Sequence, residues 1–558
     1  MTTDQLRLPG PRLSRPVQLP DGAGWILLGV PVAAVLGAVV PFHPEWWRAL
    51  LASALVVNLV VVAMKWPRAA AVATLLWLPF LALVRRLLID EAGWTQNDPL
   101  LLVGPLVALA LCFRIFVVEK RRLAPDRLSK LVLLLLVIAC FGVLNPLGTG
   151  GVVGGLAGLI FLGVPLLWFF IGRELADRQS LTGLMYAVVA VSVGIAAYGL
   201  YQTEFGSLPQ WDIDWFHITG YNGSKAGLTE GGTILFRPWG TFSSTSEYSG
   251  YLAIAFVFAV AMLYHRRPVL AIACPPLALA ILLAGGRSVM VLTLLTVVVL
   301  TALRTRNRTL ALLVVVLGLA GTYSAALAVG PRLDRAAGLS ADPKIDRQAG
   351  GILHPLDPNE STFLAHWDSL LRAAGDGFTN PVGSGTGASN LGARVSGDEE
   401  VETEIDIGDV FLSFGFVGGF VFVAIILMAF RRTISRYLRG KPDPLMLAVI
   451  GALIVSFGQW LQGGHYAASP LLWFVLGWAV KPSRREVRAE RDDPMGLRAA
   501  QSRLRRSGAG GRLRGDSGSS HRRRTRSGGR SHSGRSSTSG SSRGSRESGG
   551  SRAGPSQR

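Results

Sequence analysis

An all-α polytopic membrane protein with about fourteen transmembrane helices is the fold class this sequence predicts. Three observations predict it. Apolar runs of roughly 17–22 residues recur between short charged corners, and such a run at 1.5 Å per residue crosses ~30 Å of hydrocarbon. Charged residues are only 16% of the 558, and many of them lie in one C-terminal tail. Lysine and arginine favour alternate corners, as expected when cytoplasmic corners retain positive charge.

Taken in order, residues 1–24 carry three arginines but no cleavable-signal pattern before Trp25, so they read as a cytoplasmic segment ahead of a retained first span. The transmembrane domain covers 25–480. Its spans are predicted at 25–41, 47–64, 69–88, 100–118, 131–147, 152–171, 182–203, 248–264, 269–285, 288–303, 309–329, 409–430, 444–461 and 468–480. Counted from an inner N-terminus, the inner corners hold Lys65 and Arg68, then Lys120, Arg121 and Arg122, then Arg173 and Arg178. Arg266 and Arg267 follow, then Arg304, Arg306 and Arg308, then Arg431, Arg432, Arg436, Arg439 and Lys441. An even number of spans also returns the basic tail to the cytoplasm. Cys112, Cys140 and Cys274 all fall inside apolar runs and offer neither a disulfide framework nor a metal-binding CxxC.

Three arginines run against this charge pattern. Arg85 and Arg86 sit near the outer end of the third span, and Arg287 sits in the outer Gly-Gly-Arg-Ser corner between the ninth and tenth. A charge beside hydrocarbon must snorkel or find a partner. Snorkelling to lipid phosphates is one reading; an anion site at the outer surface is the other.

Two outer loops are long, about 204–247 and 330–408, and long structured loops are usually functional. The first ends "FRPWGTFSSTSEYSGYL", in which Ser243, Ser244 or Thr245 can cap the next helix. Free N–H groups at that cap beside Arg237 suit an anionic oxygen; a plain interfacial cap with Trp239 as anchor is the bland alternative. The second loop holds six basic and thirteen acidic residues from Arg332 to Asp406. Within it "STFLAHWDSLLRAA" puts Phe363, Trp367, Leu370, Leu371 and Ala374 on one face of an amphipathic helix lying on the bundle top. His366 and Arg372 fall toward the other side; His366 reads as a base, a substrate contact or a solvated surface histidine. "NPVGSGTGASN" has no preceding strand and no Gly-Lys-Ser/Thr, so a tight turn near backbone or ligand is expected rather than a nucleotide loop. Asp398, Glu399, Glu400, Glu402, Glu404, Asp406 and Asp409 then crowd the start of the twelfth span. Carboxylates there complement the helix dipole, and one of them is also a candidate general base.

The ordered set "RPWGTF", the outer Gly-Arg-Ser corner, an aromatic-rich loop helix, "NPVGSGTG" and "FLSFGFVGG" resembles the O-antigen ligase and polysaccharide polymerase (Wzy/WaaL-like) family of integral membrane glycosyltransferases. The resemblance covers about Arg237 to Phe430. It implies a C-type glycosyltransferase-like helical fold in the bacterial cytoplasmic membrane, and metal-independent transfer needing no cofactor. The donor would be an undecaprenyl-diphosphate-linked oligosaccharide, the acceptor a glycan or lipid, and the process cell-surface polysaccharide biosynthesis. It assigns the diphosphate grip to Arg287, with Arg237 as a second contact. The physics agrees, because fixed guanidinium groups neutralise developing diphosphate charge bidentately. Two positions depart from the family pattern. A histidine commonly stands about eleven residues before the first glycine of the G-x-x-G helix; counted back from Gly415, Glu404 stands there. An arginine often stands four residues before the loop tryptophan, where this chain has Phe363. The base therefore stays open among Glu404, Asp406 and Asp409, and ligase and polymerase both stay open.

The tail, 481–558, holds twenty-one basic and six acidic residues, a net of +15 out of +20 for the whole chain. Its Arg/Ser/Gly composition cannot bury a core and predicts disorder. Anionic inner-leaflet lipids are its expected partner; the lack of stacking aromatics weighs against nucleic acid. Two rival functions are a lipid-linked glycan flippase or other multi-span transporter, and a non-catalytic envelope scaffold. A transporter favours polar groups at mid-membrane and symmetric halves. Here mid-membrane positions hold little beyond Asn58, and the halves differ in loop size.

Overall fold

The computed structural model describes residues 46–95, 97–121, 126–145, 151–204, 208–224, 227–230, 233–264, 268–305, a few positions between 309 and 317, 363–388, 405–461 and 465–481. These residues are overwhelmingly helical. Among the described residues, eight helices are long and apolar enough to cross a membrane. They are α1 (Trp47–Lys65), α2 (Pro67–Leu87), α3 (Pro99–Val118), α5 (Gly151–Leu175), α6 (Arg178–Glu204), α8 (Thr245–Leu263), α10 (Arg287–Thr305) and α12 (Asp406–Arg439). Shorter apolar helices are α4 (Arg127–Gly142), α9 (Pro268–Leu283), α13 (Pro444–Val455) and α14 (Ala468–Ala479). These twelve coincide with predicted spans. The predicted 25–41 lies outside the described residues, 309–329 falls mostly outside them, and so does the tail.

Two helix ends depart most from expectation, and the first long loop carries elements of its own. α12 continues to Arg439 rather than 430, since its last turns are polar and lie beyond the apolar stretch. α13 stops at Val455 rather than 461, because Gly458 takes a left-handed φ of +83° and turns the chain. The first outer loop folds into α7 (Gln210–Ser224) and an antiparallel hairpin of β1 (Gly227–Glu230) with β2 (Thr233–Phe236), Gly227 opposite Phe236. Neither was expected from sequence. The amphipathic segment of the second loop forms α11 (Phe363–Thr379).

Local chemistry sets where these helices begin. Pro67, Pro99 and Pro444 occupy first-turn positions, where no N–H is missed. Asp98, Asp126 and Asp443 cap α3, α4 and α13 by accepting from backbone N–H groups one turn in. Ser244 caps α8 by accepting from Glu247 N at 3.3 Å.

α8, α13 and α14 form the buried centre. Trp460 and Trp473 meet edge to face at 6.0 Å beside it. α5 and α14 touch backbone to backbone. A Cβ on Gly172 would fall 2.0 Å from Phe474 O, and one on Gly477 would fall 2.0 Å from Phe169 O. Small residues permit this close packing where lipid supplies no hydrophobic drive between helices.

Candidate functional site

The site is built on the first turns of α8, onto which three separate segments converge. The first is its own leader, Arg237 to Ser244. Gln202 of α6 accepts from Trp239 N (3.2 Å) and Gly240 N (2.8 Å), fixing the turn where Gly240 has φ +54°. Thr241 donates its hydroxyl to Pro79 O at 2.6 Å, and Leu83 N donates to Thr241 O at 3.0 Å. Arg237 stands half-buried at the head of this turn.

The second segment is the α9–α10 corner. Gly285 has φ +74°, and Arg287 is the first, half-buried residue of α10. A Cβ on Gly286 would lie 3.0 Å from Ser249 Oγ, so the corner rests directly on α8. The third is the turn between α13 and α14. Gln459 Oε1 lies 3.0 Å from where a Gly250 Cβ would sit, and His465 Nε2 is 3.4 Å from Ser246 Oγ. Ala467 N donates to Glu247 Oε1 at 2.8 Å. Sequence reasoning placed no functional weight on Glu247, Gln459, His465 or Tyr466. The signal for the last three was the polar run "GQWLQGGHY" interrupting two apolar helices.

The α13–α14 turn is also tied to the head of α12. Asp406 is fully buried, and its carboxylate accepts from Trp460 N and from Leu461 N (3.1 Å), while its own N–H donates to Gly458 O at 3.1 Å. This carboxylate thus holds the turn that carries His465. Asp409 is buried one turn further along. Glu404 lies outside the described residues. His465 and Tyr466 line a small cleft together with apolar side chains including Leu78, Leu101, Phe161 and Val164. Burial, with Glu247 nearby, raises the Tyr466 phenol above its ordinary range.

Arg85 and Arg86 are not surface groups, contrary to both readings of them as outer-surface arginines. They are 6% and 0% exposed. Arg86 Nε lies 2.8 Å from Asp212 Oδ1 of α7, its Nη2 donates to Gly240 O at 2.6 Å, and its Nη1 donates to Phe242 O. Asp212 also accepts from Tyr198 (2.7 Å) and Gln202 (2.8 Å). Arg85 shares Asp98 with Arg48 of α1, donates to Thr95 O at 2.9 Å, and lies over the Trp94 ring at 4.5 Å. Buried guanidinium groups need such partners. Arg86 therefore clamps α7 and the "PWGTF" turn onto α2. Arg85 instead ties the end of α2 to the segment that leads into α3, through Asp98 and Thr95. His366, half-buried, and Arg372, exposed, stand on α11, which packs along α12; Arg372 Nε lies 3.4 Å from Asp368 O of its own helix.

Comparison with protein-family models, with curated proteins and with solved structures finds no match. The function must therefore be argued from the site.

Proposed function

We propose that this protein transfers or polymerises glycan from an undecaprenyl-diphosphate-linked donor at the outer face of the bacterial cytoplasmic membrane. Arg287 and Arg237 neutralise the diphosphate leaving group. A carboxylate at the head of α12 takes the proton of the acceptor hydroxyl. The candidates are Glu404, Asp406 and Asp409, of which Asp406 already accepts from the Trp460 and Leu461 N–H groups. The observation that most supports this reading is the packing of the Gly286–Arg287 corner against Ser249, in the helix whose leader carries Arg237. The Gly286–Arg287 corner and the leader that carries Arg237, far apart in sequence, thus both adjoin the first turns of α8, whose dipole favours negative charge.

The test is transfer by the purified protein in liposomes from a polyprenyl-diphosphate oligosaccharide. Arg287→Ala should lose about 10²–10³-fold in rate, the usual loss for one preorganised donor to a developing anion. Arg287→Lys should recover only part of it, since a point charge cannot bind bidentately. Unchanged transfer by Arg287→Ala would rule the mechanism out. A deletion strain separates the transporter reading: exported but unjoined repeat units indicate a polymerase, and units retained inside indicate a flippase.

A further inference from the structure

α11 has three distinct faces. Ala373 and Gly377 pack against α12, and a Cβ on Gly377 would sit 3.0 Å from Phe411 O. Trp367, Leu371 and Phe378 share a second face within about 40° of helical rotation, and all three are exposed. Asp368, Arg372 and Asp376 are exposed on a third face, roughly 100–180° from Trp367.

Depth gives these faces meaning. Phe378, 59% exposed, stacks parallel on Phe416 at 6.1 Å and edge-on against Phe420 at 6.0 Å. Phe420 is itself 54% exposed on the outside of α12, and Val417 lies beside it. Arg431 and Arg432 mark one end of the apolar stretch of α12. Gly415 (φ 63°, ψ −168°) interrupts α12, so depth is counted along the unbroken stretch 416–430, whose ~22 Å leave the opposite edge of a ~30 Å hydrocarbon layer ~7 Å beyond Phe416. Phe416 to Phe420 then lie ~7–14 Å below that edge, and Phe378 lies beside them.

The chain returns from this depth as a non-helical turn, which hydrocarbon tolerates only if the backbone is satisfied by protein. It is. Ser384 N and Gly385 N donate to Leu412 O and Ser413 O, each at 2.9 Å. Thr386 N donates to Gly142 O (3.2 Å), Asn145 Nδ2 to Gly383 O (2.7 Å) and Thr386 Oγ1 to Gly155 O (2.7 Å). Gly383 and Gly415 face each other at φ +73° and +63°, and a Cβ on Gly383 would fall 2.4 Å from Gly415 N.

We propose that residues 363–388 form a re-entrant helix and turn. The Trp367–Leu371–Phe378 face meets the acyl chains of the leaflet at the Asp406 end of α12, and the Asp368–Arg372–Asp376 face lines a hydrated vestibule. The acyl-chain contact continues the lipid-facing surface of α12 through the Phe378–Phe420 pair. The vestibule follows from the charges, since ionisable groups at that depth face water or one another. This inference does not depend on the glycan-transfer reading.

The experiment places single cysteines in a C112A/C140A/C274A background, at Leu371, Phe378 and Asp376, with Val417→Cys as a lipid-facing reference. Each is nitroxide-labelled in phosphatidylcholine–phosphatidylglycerol liposomes, and its collisions with oxygen and with a water-soluble nickel chelate are compared. Labels at 371 and 378 should match 417, with oxygen dominant, and the label at 376 should favour nickel several-fold. Nickel access at 378 equal to that at 376 would overturn the proposal, because the helix would then lie in water above the bilayer. Oxygen dominance at 376 would overturn the vestibule. Should Phe378→Cys fail to fold, Trp367→Cys reads the same face.

Discussion

Gly286 stands against Ser249: a side chain at 286 would meet the Ser249 hydroxyl at 3.0 Å. That contact fixes where α10 begins relative to α8. The distance is tight enough that a methyl group must displace its neighbour by a few tenths of an ångström. Gly286→Ala should therefore lower transfer several-fold with little loss of stability, and Gly286→Ala with Ser249→Ala should restore most of it. Transfer rates of the two single variants and the double, read as a cycle, check this.

Asp212→Ala should destabilise the fold by about 3–5 kcal/mol, because it leaves the buried Arg86 guanidinium without its carboxylate. Replacing both residues by apolar ones of similar volume should cost less than the single change. Thermal unfolding in one detergent, followed by tryptophan fluorescence, measures both.

Glu247→Gln should keep stability near that of the native chain, since an amide oxygen can still accept from Ala467 N. Glu247→Ala should cost about 1–3 kcal/mol, the usual penalty for a buried N–H losing its acceptor. The same unfolding measurement distinguishes them.

Asp126 gives an acid-limb prediction. Burial pushes its carboxyl up, but Arg173, the Ser129 hydroxyl and Arg432 together hold it below the ordinary carboxylate range. A folded value below the unfolded one means the stabilisation is complete above the unfolded value, about 3.9, and is lost as pH falls further. Melting temperature should fall below about pH 4, and Asp126→Asn should flatten that fall while lowering stability at neutral pH.

Most of the helical frame was legible from sequence, because a run of about twenty apolar residues has few ways to fold in a bilayer. The tertiary partners of its charges were not. Arg85 and Arg86 looked like surface cations because Asp98 and Asp212 stand 13 and 126 positions away in the chain, the second on a helix with no marked apolar stripe. Glu247 was hidden at the last loop position before the predicted 248–264 span, and His465 in the break between the last two spans. The seating of the Gly286–Arg287 corner on Ser249 of α8 was likewise not legible in residue spacing. Asp406, weighed both as a dipole-complementing helix start and as a base, also anchors the α13–α14 turn, a role that only the contact with Trp460 and Leu461 reveals.

The Asn380–Thr386 turn bears on biogenesis. On one side Thr386 sits on Gly142 and Gly155, and a Cβ on Gly158 would collide with Thr386 O at 1.7 Å. On the other side Ser384 and Gly385 bond to Leu412 and Ser413 of α12, which the ribosome makes afterwards. The turn can lock only once α12 has been threaded beside α4 and α5. It behaves as a keystone set late, and a chain arrested before α12 emerges would carry α4 and α5 with an open seam between them.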